Sequence, residues 1–185
     1  VLNEACRQQE SWRKQDEISL KISVNLSAKE LRDPKMVKRL QQTMMKYNIT
    51  EGELELEITE TAVMQDAEYG IEQLEAIREA GVCLSIDDFG TGFSSLAHLK
   101  SFPIQTLKLD RTFVRDIEND ENAAAICLAA ISLAHDLGLQ VVAEGVETEQ
   151  QKEFLTLHKC DSLQGNLFSQ PLPANEVMAF IKSKA

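Results

Sequence analysis

Six short runs of strand character recur along this 185-residue chain, and a stretch of helical period separates each from the next. The runs are LKISVNLS (20–27), ELELEITE (53–60), VCLSIDDF (82–89), IQTLKLDR (104–111), LQVVAEGV (139–146) and DSLQGNLF (161–168). Helical spacing covers 34–47, 66–80, 93–100, 121–137, 148–159 and 174–183, and the opening VLNEACRQQESWRKQDE also reads as a helix. Pro34 falls near one predicted helix start, and Gly81 and Gly138 sit just past predicted helix ends. Strand alternating with helix predicts parallel pairing through right-handed crossovers.

Strand residues two apart share a face. One face holds Ile22 and Val24, then Leu54, Leu56 and Ile58, then Leu84 and Ile86, then Leu107 and Leu109, then Val141 and Ala143, and last Leu163. The other is polar. Helices cover both sides of an open doubly wound sheet, so both of its faces should be apolar. A polar face fits instead inside a barrel, near its open end. At successive strand ends that face presents Asn25, Glu57, Asp87, Lys108, Glu144 and Gln164, and barrels of the β/α type build their sites at this rim. Contact with solvent explains any one polar strand end, but not six in matched phase, four of them charged. The expected class is α/β, a (β/α)8 barrel with six βα units visible. Closure takes eight strands, so two are expected before residue 1. The chain then reads as one domain over 1–185, truncated at its N-terminus, with two open sheet edges prone to aggregation.

Apolar residues make up 43% of the chain, enough for a core in a single domain. A net charge of -11 excludes duplex nucleic acid and anionic membranes as expected partners, since both attract basic surfaces. A small anionic substrate stays open if metal ions bring the positive charge. AAAICLAAISLA (123–134) is too short to span a membrane and predicts a buried helix. No signal-peptide pattern opens the chain. Cys6, Cys83, Cys127 and Cys160 lie far apart in apolar patterns and read as buried free thiols. That fits a cytoplasmic location, alone or as the cytoplasmic part of a membrane-anchored protein. His98, His135 and His158 form no HExxH pair and read as surface or helix-end residues.

LSIDDFGTGFSS (84–95) ends a strand in two adjacent aspartates. Like charges this close hinder each other's ionisation unless a cation sits between them. Asn25, Glu57, Asp87 and Asp88 are hard oxygen donors that suit Mg²⁺ or Mn²⁺, with no Cys or His placed to compete. Adjacent strand residues face opposite ways, so Asp88 joins Asp87 only if the strand ends there. Gly90 and Gly92 ease that change of direction. One aspartate would bridge two ions while its neighbour holds the second. Ions roughly 3.5–4 Å apart stabilise both attacking and leaving oxygens in phosphate displacement. Lys108 would orient the attacking water or neutralise a phosphate oxygen, and Glu144 would assist in removing a proton. GTGFSS lacks the lysine of a P-loop and the third glycine of a dinucleotide fingerprint, so it reads as a mobile rim loop. Glu60 either holds that loop through backbone amides or is a solvated acid after a strand. A barrel lyase or isomerase, with Lys108 as base and a metal-stabilised enolate, fits the same residues.

In order, SVNLS, ELEITE, SIDDFGTGFSSL, LKLDRTFV, VVAEGVET and LQGNLFSQPL resemble the motifs of the bacterial EAL domain, a family of cyclic-di-GMP-specific phosphodiesterases. The resemblance runs from residue 1 nearly to residue 185. It implies a modified TIM barrel, Mg²⁺ or Mn²⁺ as a pair of ions, and opening of one phosphodiester of cyclic di-GMP to give linear pGpG. It also implies that Asn25, Glu57 and Asp87 are metal ligands, with Asp87 bridging and Asp88 serving the second ion. Lys108 matches the lysine associated with the catalytic water, and Glu144 an acid that binds metal-site waters and serves as base. Gln164 matches a site glutamine, and Glu60 the acid that steadies the loop after strand three. Asp110 and Glu147 lie in matching motifs without an assigned role. The implied partners are cyclic di-GMP and, in the parent protein, sensor or GGDEF-type domains; a homodimer is compatible with both. The Glu-Ala-Leu tripeptide that names the family is absent, and its glutamate would be a further ligand. This chain alone is therefore expected to be weakly active or inactive. The alternative is a receptor module that binds cyclic di-GMP without cutting it. Members of that kind usually lose metal ligands, and those visible here are retained.

Overall fold

The computed structural model describes residues 1–16, 18–64, 67–90 and 99–184. Its first half runs α1 (Leu2–Asp16), β1 (Ile22–Asn25), α2 (Ala28–Leu31), α3 (Met36–Tyr47), β2 (Leu54–Thr59), α4 (Glu60–Met64), α5 (Ala67–Glu79) and β3 (Cys83–Phe89). The second half continues with β4 (Thr106–Leu109), α6 (Arg111–Asp116), α7 (Glu121–Asp136), β5 (Gln140–Ala143), α8 (Glu149–Leu157), β6 (Ser162–Leu163) and α9 (Ala174–Lys184). Every strand pairs in parallel with the next in sequence, giving a six-stranded half-barrel in the order β1-β2-β3-β4-β5-β6.

The two-residue alternation places the apolar face as expected. Leu54, Leu56, Ile58, Leu84, Ile86, Leu107, Leu109, Val141 and Ala143 are almost wholly excluded from water. The same core takes in Leu40 and Met44 of α3, Leu74 and Ile77 of α5, Val114 of α6, Cys127 and Ile131 of α7 and Leu155 of α8. Burying each large aliphatic side chain is worth about 1.5–3 kcal/mol, so this layer is the main source of stability. The polar face is partly sealed as well: Glu55, Glu57, Ser85 and Lys108 are buried.

Several boundaries differ from those the pattern predicts. β1, β4, β5 and β6 are shorter than the runs read from the sequence. After Leu163 the chain turns rather than extending: Val146 N–H donates to Gln164 O at 3.0 Å and Leu167 N–H to Val146 O at 3.0 Å. A Cβ on Gly165 would lie 2.1 Å from Val146 O, so only glycine allows this backbone approach. Three short helices were not expected. α2 is opened by a capping box between Ser27 and Glu30, α6 is capped by Asp110, and α4 starts directly at the end of β2. The helix expected over 93–100 falls outside the described residues except for Leu99 and Lys100. So does the GTGFSS rim loop except for Gly90.

The stretch 123–134 is buried on one face only. Ala123, Cys127, Ala130, Ile131 and Ala134 face the core, whereas Ile126 is 44% exposed. One sheet layer lies under α7, and one layer can cover only one side of a helix. The thiols are all free, but Cys83 and Cys160 are half-buried rather than buried. His135 lies in the last turn of α7 and His158 caps α8; His98 lies outside the described residues. Among the described residues no helix is long and apolar enough to cross a membrane.

Candidate active site

Register brings the strand ends together. Asn25 of β1 pairs with Glu57 of β2, and Thr59 of β2 with Asp87 of β3. Between β3 and β4 the register shifts: Ile86 pairs with Leu107, but Phe89 pairs with Leu109. Two residues, Asp87 and Asp88, thus stand against one, Lys108. This is a β-bulge, the device by which a strand re-aims a side chain beside a site. Asp88 takes the left-handed conformation, φ 54°, and its N–H donates to Asp87 Oδ1 at 3.0 Å. The strand does not end at the paired acids, as the sequence suggested; it absorbs an extra residue and resumes at buried Phe89.

Lys108 is the centre of the cluster. Its Nζ lies 2.7 Å from Glu57 Oε1 and 3.7 Å from Asp87 Oδ1, and it forms a closer ion pair with Glu144 Oε1. Burial alone would depress the ammonium's pKa, but the bonds to Glu144 and Glu57 outweigh it and hold Lys108 above the ordinary lysine value. Burial, opposed by Lys108, raises the Glu144 carboxyl. Burial also raises Asp88, reinforced by the charges of Asp87 and Asp110.

Glu144 reaches the cluster from the loop after β5. Its N–H donates to Leu109 O at 3.1 Å, which extends the β4–β5 ladder by one residue. Gly145 follows with φ 72°, and a Cβ there would lie 2.5 Å from Arg111 Cβ. Gln151 steadies the same loop, accepting from the amides of Glu147 at 2.7 Å and Thr148 at 3.1 Å. The sequence signal for this clamp is the capping-box spacing from Thr148 to Gln151.

Not every expected site residue joins the cluster. Asn25 is an exposed strand end opposite Glu57. Gln164 is exposed, its backbone held to Ala143 O at 2.9 Å, and among the described residues its side chain makes no hydrogen bond to the cluster. Glu60 is buried at the start of α4, and the loop it was expected to hold lies outside the described residues. Asp110, given no role from sequence, shares a side-chain hydrogen bond with Asp88 while it caps α6 through Thr112 N–H at 2.8 Å. Its signal was an aspartate immediately before the helical RTFVRD run.

Among the described residues no three His, Cys, Asp or Glu side chains are grouped to cage an ion as they stand. Lys108 lies among Glu57, Asp87 and Glu144 and pairs with them. The donor chemistry nevertheless fits a hard divalent cation: every available ligand is an oxygen, and one ammonium serves Glu57, Asp87 and Glu144 with Asp88 close by.

The family model of the EAL domain matches residues 1–171. The chain is 42% identical to the "Bifunctional diguanylate cyclase/cyclic di-GMP phosphodiesterase MucR" of Pseudomonas aeruginosa, over 98% of this chain and 26% of that protein. It spans about a quarter of the length of the curated relatives it matches. Among solved structures, the PaMucR phosphodiesterase in complex with c-di-GMP superposes with a TM-score of 0.90 at 43% identity, covering 95% of this chain and 71% of that one. The manganese and cyclic-di-GMP complex of Klebsiella pneumoniae BlrP1 gives a TM-score of 0.82 at 32% identity, covering 92% of this chain and 44% of that one.

Proposed function

Because this chain belongs to the EAL domain family, we propose that it hydrolyses cyclic di-GMP to linear pGpG in bacterial second-messenger signalling. The observation that carries the reading is Lys108, buried among Glu57, Asp87 and Glu144 where parallel strands end at one rim. Similarity to proteins whose names include phosphodiesterase activity and to a c-di-GMP complex supports the choice of substrate.

Asn25, Glu57, Asp87 and Asp88 would hold Mg²⁺ or Mn²⁺, as a pair of ions, and the manganese in the BlrP1 complex supports a divalent cofactor. Bound there, the ions would withdraw electron density from phosphate oxygens. The remaining work belongs to side chains. Lys108, kept protonated by its carboxylate partners, neutralises charge that grows on a phosphate oxygen. Glu144, whose basicity is raised by burial, takes a proton from the attacking water. A bond forms between that water oxygen and phosphorus, one P–O bond to ribose breaks, and the freed ribose oxygen ends protonated. Gln164 and Glu60 serve substrate or loop support. The names of its relatives suit fusion to cyclase or sensor domains, with a cytoplasmic location and a homodimer as further parts of this reading.

Incubation of the parent protein, with the domain complete, with cyclic di-GMP and Mn²⁺, followed by chromatography, is expected to give pGpG. Asp87→Asn should abolish that product while circular dichroism stays unchanged. Binding of cyclic di-GMP without turnover would favour a receptor instead, and no binding at all would end the reading.

A further inference from the structure

Below the Lys108 cluster, on the same polar face, lies a second carboxylate that the chemistry above does not use. Glu55 is 3% exposed. Its Oε1 accepts from Ser23 Oγ at 3.0 Å and from Ser85 Oγ at 3.4 Å, and its Oε2 pairs with Lys21 Nζ at 2.6 Å. Ser23 belongs to β1, Glu55 to β2 and Ser85 to β3. Each stands two residues before a rim group on its own strand: Asn25, Glu57 and Asp87 respectively. One buried carboxylate therefore joins the three strands that end in the oxygen donors.

Backbone ladders set strand spacing, but they leave adjacent strands free to twist over a range of angles. A side-chain tie across three strands narrows that freedom directly beneath the rim. Ser85 is fully buried, and Glu55 is a hydrogen-bond acceptor its hydroxyl can reach. The Lys21 side chain is 45% exposed, so its contribution is largely screened, and the hydroxyl bonds do the joining. We propose that Glu55 is a positioning residue, tying β1, β2 and β3 so that Asn25, Glu57 and Asp87 stand at the mutual spacing a divalent cation requires. The inference rests on the metal-dependent reading above. Mg²⁺ in particular tolerates little departure from its preferred geometry.

The test is Mn²⁺ titration of the folded chain by calorimetry, alongside thermal unfolding. Loss of a group bonded directly to metal ligands weakens affinity about 10- to 100-fold. Glu55 acts on the ligands only through the strands, so Glu55→Ala is expected to weaken Mn²⁺ affinity by up to about 10-fold, the low end of that range. Glu55→Gln keeps an oxygen facing both serines and is expected to restore most of the affinity. Should Glu55→Ala fail to fold, Ser85→Ala, which removes only the tie to β3, is expected to weaken Mn²⁺ binding by itself. A merely structural role would lower the unfolding temperature and leave Mn²⁺ affinity unmoved, and that result overturns the inference. Glutamine no better than alanine overturns it as well. Absence of Mn²⁺ uptake by the parent chain would bring down the metal reading and this inference together, whereas parental affinity in the variants brings down this inference alone.

Discussion

Lys108 Nζ lies 2.7 Å from Glu57 Oε1, with only 6% and 11% of the two side chains exposed. A charge pair this deep is secured by its geometry, since each ion alone would bear a large desolvation penalty. Glu144 joins Glu57 in holding the ammonium protonated, and Asp87 Oδ1 lies 3.7 Å away. With those carboxylates as its partners the ammonium is held protonated, which disfavours Lys108 as the base of a lyase or isomerase.

Lys108→Met should leave Glu57 buried without its counter-charge. Removing one partner of a buried pair costs about 3–5 kcal/mol. Urea unfolding near neutral pH should show a loss of that order, and turnover of cyclic di-GMP should fall at least about 100-fold, the usual cost of deleting a group that stabilises developing charge. Unchanged turnover would exclude Lys108 from the chemistry.

Asp88 separates conformation from charge. Asparagine tolerates the left-handed region, so Asp88→Asn should retain stability and relieve the repulsion from Asp87 and Asp110 while weakening Mn²⁺ binding. Asp88→Ala should in addition lose about 1 kcal/mol, because a β-carbon without a local hydrogen-bonding group strains that conformation. Equal unfolding midpoints for the two variants would contradict the bulge argument.

Gly145→Ala should act on Glu144 through the backbone. The added methyl meets Arg111 Cβ, and φ 72° disfavours any L side chain by about 1–2 kcal/mol. Destabilisation of that size with a larger proportional fall in kcat than in substrate affinity is expected from paired kinetic and unfolding measurements.

Asp161 gives a pH test remote from the rim. Burial raises its carboxyl, but bonds to His135 and to Val141 N–H, the latter at 2.8 Å, outweigh this and hold it below the ordinary 3.8. A lowered folded pKa means stability that is fully present above 3.8 and lost as pH falls through the lower folded value. The stability gap between the parent and Asp161→Asn should therefore shrink as pH falls below 3.8. A gap that widened on acidification would refute the sign.

Much of the rim was legible because period-two alternation is local. Glu57, Asp87, Lys108 and Glu144 were recognised as one face and do meet around one ammonium. Asp110 and Glu55 belong to the same polar face, but the sequence assigns neither a role, for different reasons. Asp110 lies at a strand-to-helix boundary, where alternation stops carrying direction, and Glu55 finds its partners on two other strands.

Amino-acid order by itself determined the strand–helix alternation, the division of the sheet into apolar and polar faces, and the row of acids, because neighbours along the chain dictate those periods. Which groups touch was decided only in three dimensions. Two aspartates confront a single lysine because the β3–β4 register slips by one residue where Asp88 adopts φ 54°, and that register exists only once the two strands, separate in sequence, are paired.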